Sequence, residues 1–187
     1  MKTIKIKLIT ILFSATTFSA NAQPKITANR SATGSPSFAK TGAIASANVS
    51  VTIISPISIS KIDDMNFENI AVNGAGSVIL TPTGTRANTG GVTLPQNAGT
   101  VSAASFIVYG TPDYTFSITL PTGATTIYNN SGDQMTVDSW TSNPISTGTL
   151  NAGGKGTFTV GATLHVSGNQ VHGTYVSAPF EVTVNYN

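Results

Sequence analysis

GTFTVGATLHVSGNQVHGTYVSAPFEVTVNYN, the run from Gly156 to Asn187, decides the fold class. Phe158, Val160, Ala162, Leu164 and Val166 are apolar at every second position, and so are Phe180, Val182, Val184 and Tyr186. A side-chain period of two belongs to a strand with one buried face, because successive Cβ atoms point to opposite sides of a sheet. Between the later set, Glu181, Thr183 and Asn185 would face water. Four large inward side chains, at roughly 1.5–3 kcal/mol each when fully buried, make this last strand a core element. Its truncation is expected to unfold the domain.

The same period recurs upstream. Ala45, Ala47, Val49, Val51 and Ile53 share one parity, which Ile57 and Ile59 continue beyond Pro56. Proline has no N–H for a ladder, so Pro56 marks an edge or a bulge where one long strand, Ala43 to Ile59, changes partners. Met65, Phe67 and Ile70 would point inward next. Asn73 to Gly76 and Asn88 to Gly91 read as turns, separating short strands at Val78–Leu80 and Val92–Leu94. Ala104 to Tyr109 (ASFIVY) and Tyr114 to Leu120 flank Gly110-Thr111-Pro112-Asp113 and read as a hairpin. Further short strands are expected at Ile127–Tyr128 and from Met135 through Val137 to Trp140. No apolar i, i+3, i+4, i+7 pattern persists beyond the start of the chain, and no repeat of fixed period is present. About eight or nine short strands broken by Gly, Pro and Asn turns predict an all-β, immunoglobulin-like or pilin-like β-sandwich over residues 43–187.

At the other end, Lys2, Lys5 and Lys7 precede an apolar run from Leu8 to Phe13 that fades into Ala20-Asn21-Ala22. A basic start, a short apolar middle and an A-x-A site form a secretory signal peptide over residues 1–22, cleaved between Ala22 and Gln23. A membrane anchor needs about 18–20 apolar residues, and this run is too short. Residues 23–42 (QPKITANRSATGSPSFAKTG) lack a period and read as a flexible N-terminal segment. The formal charge of +2 comes from this end of the chain, since three of the nine basic residues lie in the leader. From Ala43 onward only Lys61, Arg86 and Lys155 oppose all seven acids. A nucleic-acid partner is not expected, because such domains gather Lys and Arg on one face. No integral membrane segment is expected once the leader is removed. The chain has no cysteine, so packing and ladder hydrogen bonds must stabilise it, although an exported protein's compartment permits disulfides. With only 9% charged residues, a β-rich surface favours association between strands.

No constellation of reactive side chains stands out. His165 and His172 could meet at a metal, but no third ligand or zinc spacing accompanies them, and solvent-facing or turn histidines explain them better. Asp63, Asp64 and Glu68 could hold Ca²⁺, yet they lack the spacing of a calcium loop and its central Gly. Asp113, Asp133 and Asp138 could in principle form a glycosidic pair across a cleft, which spacing alone does not establish. There is no G-x-S-x-G elbow, and no phosphate or dinucleotide fingerprint follows a strand. Gly153-Gly154-Lys155-Gly156 reads as a loop between strands. Trp140, Tyr109, Tyr128 and Tyr175 could offer flat faces to a sugar, with Tyr128 and Trp140 the candidate platform. No catalytic, cofactor-binding or metal residue is assigned, and an enzyme is not expected.

Several segments, in order, resemble the bacterial domain-of-unknown-function family 4402. They are Pro56 to Lys61 leading into Asp64-Met65-Asn66-Phe67, Gly76 to Gly84 (GSVILTPTG), Gly90-Gly91-Val92, and Phe106 to Gly110 (FIVYG). Tyr114 to Pro121, Phe158 to Leu164 (FTVGATL), Gly173-Thr174-Tyr175 and Phe180 to Tyr186 complete the match. The resemblance implies export by a Gram-negative bacterium and carries no catalytic residues. One departure is Glu68, where the family pattern leads one to expect Gly after the Asn-Phe pair. More distantly, the chain is similar to chaperone–usher fimbrial subunits and spore-coat-like domains, which also end in an alternating strand with a nearly terminal Tyr and an upstream Gly, here Tyr186 and Gly173. In such subunits a neighbour's extended segment completes the sandwich. By that resemblance the donor would be Gln23 to Gly42, whose apolar residues Ile26, Ala28 and Phe38 are scattered. The missing cysteines depart from the disulfide of many fimbrial subunits.

The expectation is a secreted, non-enzymatic structural or adhesion protein, fimbria-like in assembly. It would act at the periplasm, cell surface or outside the cell by strand addition to itself or to related surface subunits. The candidate assembly edge is Val49, Val51 and Ile53. The alternative is a carbohydrate- or matrix-binding module with glycans as partners and no cofactor.

Overall fold

The computed structural model describes residues 42–96 and 99–187. The expected signal peptide, its expected Ala22–Gln23 cleavage point and the N-terminal segment up to residue 41 lie outside the described residues. The chain divides into two units, Met1–Asn48 and Val49–Asn187. The described residues of the first, 42–48, are exposed and carry no strand. The rest of the architecture belongs to the second.

Eleven strands and no helix make up the described residues. They are β1 (Ser58–Asp63), β2 (Ala71–Leu80), β3 (Arg86–Thr93), β4 (Ala104–Tyr109), β5 (Thr115–Thr119), β6 (Thr125–Tyr128), β7 (Gln134–Asn143), β8 (Thr147–Thr149), β9 (Lys155–Val166), β10 (Val176–Ser177) and β11 (Thr183–Tyr186). Every pairing is antiparallel. The larger sheet runs β1-β4-β9-β7-β6-β10, with β2 and β3 branching from β9, and the smaller runs β11-β5-β8. The result is an all-β, sandwich-like fold.

Strand β9 is the axis. On one side it pairs with β4 up to Val160 and with β2 from Ala162; on the other it pairs with β7 along most of its length. The change of partner falls on Gly161, where an added Cβ would run into the backbone of Leu80, Thr81 and Pro82. A strand glycine often marks such a close approach of another backbone. Here it lets one strand serve two neighbours and bends the sheet into a curl. The β7 ladder slips its register between Asp138 and Thr141, beside the same point.

The alternation along β9 feeds two cores. Phe158 and Val160 join Phe106, Val108, Phe116, Ile118, Leu150 and Val184 beneath the smaller sheet. Phe158 stacks on Phe106 at 5.2 Å between ring centroids and lies at a tilt to Phe116. Ala162, Leu164 and Val166 join Val78, Val92, Met135 and Val137 under the curled end. Met65 and Trp140 pack against both clusters.

Several expectations about pairing need correction. Ala104–Tyr109 and Tyr114–Leu120 are not a hairpin, because β4 and β5 lie in different sheets. Gly110 to Asp113 carry the chain across the sandwich, held by Gly110 N to Gly154 O at 3.0 Å and Asp113 N to Leu150 O at 3.1 Å. Both strands alternate because both point into one core from opposite sides. The strands of the Gly156–Asn187 run are likewise separated, β9 central in one sheet and β11 at the edge of the other. Only Val184 of the terminal set is buried; Phe180, Val182 and Tyr186 are half-buried.

Asn73 to Gly76 and Asn88 to Gly91 are not turns but lie inside β2 and β3, whose register is irregular between Val72 and Gly76. At Gly91 an added Cβ would strike the Gly74 backbone, so these glycines form a bulge with backbone packed on backbone. The actual turn is at Thr81–Thr85, where Thr81 N donates to Thr85 O at 2.9 Å. The short strands β8 and β10 raise the count above eight or nine.

Candidate assembly edge

The stretch Ala43 to Ile59 is not one long strand. A strand begins only at Ser58, and Pro56 is the boundary rather than a point inside it. Before it, Val49, Val51 and Ile53 are 98%, 85% and 92% exposed. Large aliphatic residues at alternate positions, all in water, form an apolar ribbon that lacks a partner among the described residues. From Ala43 to Ser60 the sequence carries no charge to oppose its burial.

The root of this arm is fixed. Ser55 N donates to Thr111 Oγ1 at 2.9 Å, and Tyr186 Oη donates to Ser55 O at 2.8 Å. Thr111 N donates in turn to Tyr186 Oη at 2.7 Å. One phenol therefore ties together the end of β11, the crossover from β4 to β5, and the base of the arm. Gly110 makes this possible, since an added Cβ there would collide with the Tyr186 hydroxyl.

Beside that root the sandwich is open. β1 ends the larger sheet and β11 ends the smaller, and no hydrogen-bonded pairing joins them. An open groove of about 400 Å³ lies at this seam, with Ile59, Phe106, Phe180 and Val182 as its apolar wall and Lys61, Glu181 and Thr183 also lining it. β11 is in register with β5 from Thr183 opposite Thr119 to Tyr186 opposite Phe116. Its outer side carries no strand among the described residues.

The other free edges are defended. β1 has a register shift between Lys61 and Asp63, and Lys61 Nζ pairs with the Asp64 carboxylate at 2.6 Å. A bulge and a lysine are common guards against edge-to-edge pairing. β3 is interrupted by the glycine bulge, and Arg86 at its start donates to the carbonyls of Phe67 and Asn69. β8 and β10 are three and two residues long.

The candidate ligand platform is not brought together. Tyr128 sits opposite Gln134, whereas Trp140 lies six residues farther along β7, beyond the end of the β6 pairing. Trp140 Nε1 donates to Gly123 O at 3.1 Å, and its ring packs on Phe180 at 4.6 Å. Its face is thus occupied by the protein's own core. Tyr128 is half exposed.

His165 and His172 do not converge with a third ligand, and no cluster of three His, Asp or Glu side chains placed for a metal occurs among the described residues. Instead His165 Nε2 pairs with Asp138 Oδ1 at 2.8 Å, and Ser139 Oγ donates to the same oxygen at 3.0 Å. The His165 bond, then that from Ser139, holds the Asp138 carboxyl below its ordinary value. Asp63 accepts from Ser105 Oγ and Asp64 from Lys61, while Glu68 bonds Asn66. The three acids of that cluster are thus turned to separate partners.

The crossover tie at Tyr186 is a feature that sequence reasoning missed. Its signal was present in a nearly terminal tyrosine and a glycine at 110, but nothing in the order of residues joins positions 55, 111 and 186. No helix long and apolar enough to cross a membrane occurs among the described residues. A family model described as domain of unknown function (DUF4402) matches residues 57–186. No curated protein and no solved structure matches the chain.

Proposed function

This chain belongs to the family of the domain of unknown function DUF4402, and on that premise we propose that it is a secreted, non-enzymatic structural or adhesion-type protein that assembles by strand addition. The observation that carries the reading is the arm at Val49, Val51 and Ile53, whose apolar side chains stand almost wholly in water. Burying each would contribute roughly 1.5–3 kcal/mol, so leaving them exposed favours any partner that offers a sheet edge. Period two supplies the right form, apolar side chains on one face and Ser50 and Thr52 on the other. Strand addition uses main-chain hydrogen bonds for affinity and alternate side chains for specificity. Export through the N-terminal leader would place the product at the periplasm, cell surface or beyond.

The test is light scattering on purified chain with the leader removed, beside Val51→Lys and Ile53→Lys variants. Wild type should form concentration-dependent oligomers, and a lysine on the apolar face should return it to monomer with circular dichroism unchanged. A wild type that stays monomeric at high concentration would sink the reading. Assembly unaffected by both lysines would remove the arm from it.

A further inference from the structure

Building on the strand-addition reading, we infer that the acceptor for the arm is the outer edge of β11 on a second copy of this chain. The arm lies antiparallel to β11, with Val49, Val51 and Ile53 over the groove walled by Ile59, Phe106, Phe180 and Val182.

Four observations converge on this edge. β11 has a free outer side and no charged residue, whereas β1, β3, β8 and β10 are bulged, guarded or very short. Phe180 and Val182 are only half-buried although they pack against the main core, and with Ile59 and Phe106 they supply the apolar part of a groove that Lys61, Glu181 and Thr183 also line. Arm and edge have the same design, inward Val, Ile or Tyr alternating with outward Ser, Thr or Asn. Neither the arm nor β11 itself carries a charge, and the two charged residues that line the groove, Lys61 and Glu181, are exposed and can keep their water when a strand is added.

The mooring of the arm selects a second copy. Ser55 is fixed beside Tyr186, at the end of β11 where that strand finishes. An arm folding back on its own β11 would therefore run parallel to it. A copy arriving from outside is free to run antiparallel, the slightly more stable ladder per residue. Val49 to Ser55, at about 3.3 Å per residue, also spans the four residues of β11 with length to spare.

The absence of cysteine in the chain gives a clean test. Ser50→Cys and Thr52→Cys on the arm, and Thr183→Cys and Asn185→Cys on the edge, all lie on outward polar positions and should leave the fold intact by circular dichroism. Each arm variant is mixed with each edge variant and oxidised under mild conditions, which covers three neighbouring registers because same-face positions differ by two. One arm–edge combination should give cross-linked heterodimer at least severalfold above either variant alone. Assembly in light scattering with no arm–edge enrichment, or with preferential capture by Ser60→Cys on β1, would overturn the choice of β11 while leaving strand addition standing. Monomers that never cross-link would overturn both. A Thr52→Cys/Thr183→Cys chain that closes on itself at high dilution, with no mixed dimer, would overturn the second copy.

Discussion

Phe158–Val166 and Ala45–Ile53 each place five apolar side chains at alternate positions over nine residues, yet one is paired along both sides and the other has no strand partner among the described residues. In the first, all five apolar residues are buried, and neighbours pair along both sides. In the second, every residue is exposed. Period two therefore states which face of a segment seeks an apolar surface, not where that surface is. The differences lie in what flanks the pattern. β9 carries Gly161, which lets a second neighbour approach, whereas the arm ends at Pro56, which cannot extend a ladder into β1.

The largest expected effect sharpens this contrast directly. Phe158→Ala should cost about 3–5 kcal/mol, the range for emptying a buried aromatic site, because Phe158 is 2% exposed and stacks against Phe106. Val51→Ala, on the same pattern in the arm, should change monomer stability by no more than about 0.5 kcal/mol. Urea denaturation at low protein concentration measures both. If Val51→Ala costs as much as a core substitution in the monomer, the arm is packed in solution and the contrast fails.

A smaller effect concerns the arm's root. Tyr186→Phe removes the hydroxyl that accepts from Thr111 N and donates to Ser55 O. The half-buried ring remains and water can reach the exposed Ser55, so the loss should be about 0.5–1.5 kcal/mol, the net worth of an ordinary hydrogen bond. Amide exchange at Thr111 should quicken, while exchange in β9 should follow only the global change. Unaltered exchange at Thr111 would mean that the root is held by Ser55 N and Thr111 Oγ1 alone.

How much of this was legible follows from the same contrast. The strand class and the inward parity of β4, β5, β7 and β9 were readable because they depend on neighbours in sequence, whereas Pro56 suggests an edge or a bulge inside one long strand and is in fact where the unpaired arm gives way to β1. The sheet partners were not, as β4 and β5 show: a Gly-Thr-Pro-Asp connection suits a hairpin, and only the shared core reveals that it crosses between sheets. Paired glycines at 74–76 and 90–91 gave a true signal for unusual backbone but not whether it was turn or bulge. Glu68 is a finer case. The family pattern leads one to expect Gly there, and Glu68 has φ 53°, the left-handed conformation that glycine adopts without cost. Asn66 Oδ1 accepts from Glu68 N at 2.9 Å and Asn66 Nδ2 donates to the Glu68 carboxylate at 2.7 Å, which holds the same turn by side chains instead. The arm was legible only in part: the alternation of Val49, Val51 and Ile53 was readable, but not that these residues form no strand, and the groove lined by residues 59, 106, 180 and 182 brings together positions that no local pattern unites.

The smallest effect belongs to the outer face of β9, where His165 shares its parity with Lys155 at the far end of the strand and with threonines between. Asp138 on β7 is held below its ordinary carboxyl value of 3.8, chiefly by the His165 bond and then by Ser139. A carboxyl whose folded value is depressed binds fewer protons folded than unfolded in the interval below 3.8, so its contribution is present above that pH and is lost as pH falls through the lower folded value. Wild type should therefore lose stability more steeply below about pH 4 than His165→Thr, which keeps a strand-forming residue at the site. Both side chains are substantially exposed, so solvent and salt screen the pair, and the difference between the two acid limbs should shrink in high salt. The measurement is the urea midpoint across pH 5 to 2.5. Superimposable acid limbs would mean that the outward face of β9 contributes nothing, leaving the buried parity alone to separate it from the arm.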